Sequence, residues 1–148
     1  MMDFSHKNVL VVGVGISGNA VAKVAKMQGA DKVVLSDAKA EQDLKYDLTD
    51  VRATGVELVF GPQENTLLDN VDMVILSPAV PVRIPLVQEA YKREIPVVSE
   101  VQVAYELAKS PILAVTGTNG KTTTVTLLGE LMKTRYPDAG VGGNIGVP

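Results

Sequence analysis

Short apolar runs of strand length alternate with segments of helical spacing along most of this 148-residue chain. The first run, Asn8 to Val12, is continuously apolar after its first residue, which is typical of a strand buried on both faces of a sheet. The next segment, Ile16 to Gln28, carries Gly18, Ala22 and Ala25 on one helical stripe, which favours close packing on that sheet. Repeated strand–helix alternation implies parallel strands joined by crossovers. The pattern therefore predicts an α/β fold, a Rossmann-like parallel sheet with flanking helices.

The same pattern continues to residue 110 and then restarts. The further predicted strands are Lys32 to Ser36, Val56 to Phe60, Val71 to Ser77 and Pro96 to Ser99. The further predicted helices are Pro85 to Arg93 and Glu100 to Lys109, the last with Val101, Ala104, Tyr105 and Ala108 on one helical face. A strand at Ile112 to Thr116 and a helix at Thr122 to Tyr136 then follow. We predict a first domain over residues 1–99, and a linker helix with the truncated start of a P-loop-type domain over residues 100–148.

Composition excludes several classes of protein. The formal net charge of −3 argues against a module that binds nucleic acid by neutralising phosphates. The absence of cysteine excludes a disulfide framework, a thiolate metal site and a cysteine nucleophile, and His6 is the only histidine. No apolar run approaches the ~20 residues that cross a bilayer, and no secretory signal is visible. We expect a cytoplasmic protein that binds neither nucleic acid nor membrane.

The first chemical motif is Gly13 to Gly18, which matches G-x-G-x-x-G between a predicted strand and a predicted helix. Gly13 permits a tight turn, Gly15 lets the backbone approach a diphosphate, and Gly18 permits close helix packing. The helix amino terminus offers N–H groups to that anion. Asp37 ends the next predicted strand, where its carboxylate would accept hydrogen bonds from a ribose or a base. The motif predicts a nucleotide-diphosphate site without identifying the nucleotide, since NAD, FAD and UDP-sugars all fit.

The second motif, Thr116 to Thr123, lies between a predicted strand and a predicted helix. Its backbone N–H groups would cradle the phosphates of a nucleoside triphosphate, Lys121 would reach the β/γ oxygens, and the Thr122 hydroxyl would hold Mg²⁺. The common pattern G-x-x-x-x-G-K-[ST] fails here because Val115 stands in place of its first glycine. A chain with both phosphate sites is expected to couple ATP hydrolysis to chemistry on a nucleotide-bearing substrate.

The run Gly-Thr-Asn-Gly-Lys-Thr at 117–122 resembles the ATP loop of the Mur ligases and the folylpolyglutamate synthetases, which are ATP-dependent amide-forming ligases. The start at Gly13 to Gly18, the loop Ser77 to Pro81 and the closing Gly142 to Gly146 resemble the Mur ligases that add D-glutamate to UDP-N-acetylmuramoyl-L-alanine. The resemblance covers about residues 7 to 148. It implies a role in peptidoglycan precursor synthesis, with ATP and Mg²⁺ as cofactors, an acyl phosphate intermediate, and a central ATPase domain that begins near residue 111. Ala79 departs from the pattern, because that family more often has glycine there.

The resemblance also implies roles for individual residues. The implied substrate-binding residues are Gly15, Ile16, Ser17, Asp37, Ala38, Ser77, Pro78, Ala79 and Asn144. The implied ATP-binding residues are Gly117, Thr118, Asn119, Gly120, Lys121, Thr122 and Thr123. Among these, Lys121 and Thr122 are the implied catalytic residues, and Thr122 is the implied metal ligand. Since the family's central domain continues well past Pro148, we expect this chain to be an amino-terminal piece without ligase activity of its own. We also expect it to self-associate or to carry a mobile tail after about Ser110, because apolar surface built to be covered would be left open.

Two other interpretations remain open from the sequence. One is a stand-alone Rossmann-type module that binds or senses NAD, in which the second loop is incidental. The other is a ligase of the same family that adds a different amino acid. Titration with UDP or UDP-N-acetylmuramoyl-L-alanine against NAD would discriminate between the first of these and the D-glutamate ligase.

Overall fold

The computed structural model describes residues 2–143 of the chain. The strands are β1 (Asn8–Val12), β2 (Lys32–Asp37), β3 (Glu57–Phe60), β4 (Met73–Leu76) and β5 (Val97–Ser99), and the α-helices are α1 (Ile16–Met27), α2 (Thr49–Ala53), α3 (Pro85–Lys92), α4 (Glu100–Leu107) and α5 (Lys121–Arg135). Two 3₁₀ turns lie at Glu41–Asp43 and Asn65–Leu68. The chain divides into two compact units, Met1–Ala108 and Lys109–Pro148.

The first unit is built on one five-stranded sheet with the strand order β3-β2-β1-β4-β5. All four strand pairs are parallel, with Val11 opposite Leu35 on one side and opposite Ile75 on the other. The predicted Rossmann-like parallel sheet with flanking helices is therefore confirmed. The strand order reverses between β1 and β4, so the crevice above their carboxyl ends is where a sheet of this kind binds its ligand.

Apolar residues on both faces of β1 and β4 form the core. One face packs under α1, α2 and α4, and it includes the fully buried Leu35 and Ile75. The opposite face packs under α3 and the second 3₁₀ turn, and it includes Leu10 and Val74. Because central strands are covered on both sides, they read in the sequence as continuous apolar runs, as β1 does.

Helix α1 lies close to the sheet on its stripe of small residues. Gly18, Ala22 and Ala25 are all buried, as the helical stripe predicted. Gly29 follows the helix with a φ of +94°, a left-handed conformation that glycine adopts without a steric penalty. The short side chains bring the helix axis near the strands, and so the helix amino terminus lies directly above the end of β1.

The apolar helical face that the sequence groups in α4 is exposed. Val101 and Tyr105 are 68% and 67% exposed, and the helix instead buries Val103 and packs Leu107 against the core. Both faces are apolar with i, i+4 spacing, so periodicity alone could not choose between them. The hydroxyl of Ser99 accepts a hydrogen bond of 3.2 Å from the Gln102 amide and begins the helix immediately after β5.

In the second unit, α5 is the only regular α-helix or strand of the described residues 109–143. The strand predicted at 112–116 is wrong, since these residues form no strand. A strand exists by pairing with a neighbour, and the described part of this unit offers no other strand. The described residues therefore do not show the predicted start of a P-loop-type domain, which stays a prediction.

Candidate nucleotide site

The candidate site of the first unit lies at the carboxyl edge of the sheet, where β1 and β4 end. The Gly13 amide donates a hydrogen bond of 2.7 Å to the Ser36 carbonyl, and the Ser77 amide donates one of 3.0 Å to the Val12 carbonyl. These bonds tie the first residue after β1 to the end of β2, and the first residue after β4 to the end of β1. The loops of three neighbouring strands therefore meet at the point where the strand order reverses.

Gly13 and Gly18 are required by packing within the protein. A Cβ at Gly18 would lie 2.0 Å from the Gly13 carbonyl oxygen. A Cβ at Gly13 would lie 2.7 Å from Val80 Cγ2 and 2.8 Å from Ser77 Cβ, and the φ of Gly13 is +104°. Neither position has room for a side chain, so these glycines let α1 and the β4 loop close over the end of β1.

Gly15 has no such reason within the protein. Its φ of −137° and ψ of −174° are extended and open to any residue. A Cβ there would meet only Ser77 Oγ, at an ordinary 3.8 Å. Gly15 also precedes α1, whose first turn has no side-chain cap and no acidic residue. The first N–H groups of the helix therefore have no side-chain acceptor, and the space beside them is open, which suits an anionic ligand.

The carboxylate of Asp37 holds the glycine loop in place. Its Oδ2 accepts a hydrogen bond of 2.8 Å from the Val14 amide, and its Oδ1 accepts one of 2.9 Å from the Lys39 amide. A carboxylate has about four lone-pair sites, so these two bonds leave capacity for a ribose hydroxyl. The motif predicts a ligand for Asp37, but its spacing gives no sign of the bond from the carboxylate to the glycine loop.

The other wall of the crevice is the loop after β4. Ser77 is buried under Gly13, and the Val80 amide donates a hydrogen bond of 3.0 Å to the Ser77 carbonyl. Pro78 and Ala79 are exposed at the tip of this turn. Ala79 does not have a positive φ, so its backbone conformation does not demand the glycine that the resemblance implies there.

Two further polar residues lie at this edge and belong to neither sequence motif. Ser36 is completely buried at the end of β2, and its hydroxyl accepts a hydrogen bond of 3.1 Å from Gln63 Nε2. Gln63 lies in the loop after β3. The available signal was a serine within the otherwise apolar run of β2, next to Asp37.

The candidate ATP loop lies in the second unit. Gly120 has a φ of +75° and caps α5, and Gly117 has a φ of +150°. The ammonium of Lys121 donates hydrogen bonds to the carbonyls of Gly117 and Thr118 in its own loop. No side chain caps the amino terminus of α5, and Thr122 is exposed at its start. Glycines in left-handed conformations, an uncapped helix and a lysine over the loop fit a phosphate group.

The structure brings most of the predicted substrate residues together at one edge of the first unit. These are Gly15, Ile16, Ser17, Asp37, Ala38, Ser77, Pro78 and Ala79. Asn144 lies outside the described residues. Within residues 2–143, no group of three or more His, Cys, Asp or Glu side chains could hold a metal ion. The same residues contain no helix that is both long and apolar enough to span a membrane.

Comparison with known proteins shows the family of the region that forms this crevice. Residues 7–99 match the family described as Mur ligase MurD-like, N-terminal domain. The chain belongs to this family. The matched residues of this MurD-like chain run from the start of β1 to the end of β5, and so they include every loop that forms the candidate site.

Curated relatives agree with the MurD-like assignment. The chain is 46% identical over 148 residues to UDP-N-acetylmuramoylalanine--D-glutamate ligase of Pelotomaculum thermopropionicum, a match that covers 100% of this chain and 32% of the relative. It is 40% identical over 149 residues to the enzyme of the same name from Alkaliphilus metalliredigens, covering 99% of this chain and 32% of the relative. The chain thus spans about a third of the length of these relatives.

Solved structures place the MurD-like chain among the Mur ligases. The UDP-N-acetylmuramate-alanine ligase of Thermotoga maritima is 28% identical with a TM-score of 0.55, over 95% of this chain and 33% of that one. A UDP-N-acetylmuramate:L-alanyl-γ-D-glutamyl-meso-diaminopimelate ligase from Neisseria is 25% identical with a TM-score of 0.61, over 97% of this chain and 46% of that one. These matches support a region of a peptidoglycan ligase.

Proposed function

We propose that this chain is the UDP-substrate-binding, amino-terminal region of a ligase that joins D-glutamate to UDP-N-acetylmuramoyl-L-alanine. The observation that carries the proposal is the open space at Gly15. It lies beside the amino terminus of α1, which no side chain caps, and next to Val14, whose amide donates to the Asp37 carboxylate. Two of the three motif glycines serve packing, whereas the third leaves room for a ligand. The names of the curated relatives supply the identity of that ligand.

Different residues at the carboxyl edge of the sheet bind different parts of the nucleotide. The backbone N–H groups of Ile16 and Ser17 receive the diphosphate, where the helix dipole favours negative charge. Asp37 and Ala38 flank the ribose and uracil. Ser77 holds the opposite loop against Gly13, so that the turn at Pro78 and Ala79 lines the same crevice.

The second unit contributes part of an ATP site in this proposal. The backbone of Gly117 to Thr123 would hold the phosphates, Lys121 would exchange its two loop carbonyls for phosphate oxygens, and Thr122 would hold Mg²⁺. When bound, ATP supplies the phosphoryl group that activates the substrate's L-alanine carboxylate as an acyl phosphate before the D-glutamate amine attacks. Lys121 and Thr122 act by positioning and neutralising charge.

Thermal unfolding of the 148-residue chain with and without UDP tests the binding proposal. UDP at 100 times its Kd should add about 2.7 kcal/mol of stability, which raises the midpoint of a domain of this size by roughly 8–10 °C. NAD at the same concentration should leave the midpoint unchanged. Protection by NAD and none by UDP would refute the proposal and favour the stand-alone NAD module.

A second measurement tests the expected lack of ligase activity. The purified chain is incubated with ATP, Mg²⁺, D-glutamate and UDP-N-acetylmuramoyl-L-alanine, and phosphate release and amide product are followed. We expect neither above the rate of a sample without protein. ATP-dependent formation of the D-glutamyl product would show that these residues suffice for catalysis.

A further inference from the structure

Among the fifteen residues of α5, all of which the structure describes, only Gly129 is buried. Val125, Leu128 and Met132 are half-buried on the same face of the helix. Glycine is among the least favourable residues in a helix interior, because it gives up more backbone freedom on folding than any other residue. A glycine at the centre of this face therefore has a reason that lies outside the helix itself.

The reason is Val141, in the segment that follows α5. The chain turns after the helix, where the Ala139 amide donates a hydrogen bond of 3.0 Å to the Tyr136 carbonyl. A Cβ at Gly129 would then lie 2.5 Å from Val141 Cγ2. Val141 occupies the space that a side chain at Gly129 would need, and its β-branched side chain has few rotamers in which to move aside. A Cβ at the neighbouring Gly140 would meet nothing within 4 Å, so the close approach is confined to Val141.

Val141 is the last residue before the closing run Gly142 to Gly146. Asn144, which the resemblance implies as a substrate-binding residue, follows Val141 by three positions in the sequence. A run rich in glycine has few side chains with which to fix its own course, and Gly143 has a φ of +120°. The packing of Val141 therefore decides where this run begins.

We propose that Gly129 is a positioning residue for substrate binding. By receiving Val141, it fixes the point on α5 from which Asn144 contributes to the binding of UDP-N-acetylmuramoyl-L-alanine. This inference rests on the proposed function, since it takes that compound as the ligand. The glycine is kept within the helix because any side chain there would displace Val141, and with it the start of the closing run.

Calorimetric titration of the whole 148-residue chain with UDP-N-acetylmuramoyl-L-alanine tests this inference. We expect Gly129→Ala to weaken binding by about tenfold, which corresponds to the loss of one hydrogen bond to the ligand. In the double variant Gly129→Ala/Val141→Ala the nearest atom of residue 141 would be its Cβ, at an ordinary 3.9 Å, so the affinity should return to within about threefold of the wild type. Gly140→Ala is the matched control and should bind as the wild type does.

A second set of variants tests whether Gly129 acts through Asn144. Asn144→Ala should weaken binding by about tenfold, and adding Gly129→Ala to it should weaken binding by less than about twofold more. Two losses that multiply would show that Gly129→Ala harms binding by another route, and would overturn the inference. Wild-type affinity in Gly129→Ala would overturn it as well, and so would a double variant Gly129→Ala/Val141→Ala that is not rescued.

Nuclear magnetic resonance gives a readout that does not depend on the ligand. The wild type should show nuclear Overhauser effects between the Val141 methyl protons and the α protons of Gly129, and Gly129→Ala should lose the contacts of these methyl groups with α5. Their absence from the wild type would remove the contact on which the inference depends. A wild type that binds neither UDP nor UDP-N-acetylmuramoyl-L-alanine would overturn the proposed function, and the inference with it, before any variant is made.

Discussion

Substitution of Gly15 and Gly18 by alanine should separate ligand space from protein packing. At Gly18 the new methyl would lie 2.0 Å from the Gly13 carbonyl oxygen, more than 1 Å inside ordinary contact. The helix or the loop must move, and we expect Gly18→Ala to lower the free energy of unfolding by about 3 kcal/mol or more. At Gly15 the methyl meets only Ser77 Oγ at 3.8 Å, and φ is already extended. Losing glycine at the helix N-cap costs up to about 1 kcal/mol, and the stiffer unfolded chain returns about 0.4–1 kcal/mol.

The stability of Gly15→Ala should therefore stay within about 1 kcal/mol of the wild type, whereas its UDP affinity should fall at least tenfold, because the methyl occupies the space that the diphosphate needs. Urea unfolding gives the first quantity and calorimetric titration the second. If Gly15→Ala binds UDP as the wild type does, the open space is not the phosphate site. If Gly15→Ala unfolds as easily as Gly18→Ala, then Gly15 is also a packing glycine, and the argument from sterics fails.

Three further perturbations test other parts of the molecule. Asp37→Asn should lower the free energy of unfolding by about 1–2 kcal/mol in urea, since an amide can accept only one of the bonds from Val14 and Lys39; an unchanged value would show that the carboxylate does not hold the loop. Leu10→Ala should cost about 2–5 kcal/mol because Leu10 is fully buried in the central strand, while the exposed control Val101→Ala should cost less than about 0.5 kcal/mol. Light scattering should detect oligomers of the chain that disappear in the double variant Leu127→Glu/Leu131→Glu, because both leucines are exposed on α5; a wild type of 15.7 kDa in solution would contradict this expectation.

The sheet and its order of elements were predictable because its strands are buried on both faces. β1 occupies the predicted range, and the other strands of the sheet differ from prediction by one or two residues at an end. A strand that is buried on both faces of the sheet must be apolar along its length, so it appears in the sequence as an apolar run of strand length. The helices between these runs imply that the strands pair in parallel. In α4 the same reasoning fails, because two apolar faces compete and the position of the helix on the sheet decides between them. Residues 112–116 carry strand composition without a strand partner in the described part of their unit, and composition alone does not form a strand.

The candidate site was predictable to the level of its motifs, but the function of each glycine was not. A G-x-G-x-x-G pattern is equally consistent with three packing glycines and no ligand, or with a ligand above one of them. Only the three-dimensional structure shows that side chains at Gly13 and Gly18 would collide with protein atoms, while one at Gly15 would not. At Gly15 the preference of a helix N-cap for glycine over alanine is offset by the greater freedom that glycine leaves to the unfolded chain, so neither sterics nor stability requires glycine there. Such a position is best explained by something outside the chain, and for this reason Gly15 carries more of the functional argument than the motif as a whole.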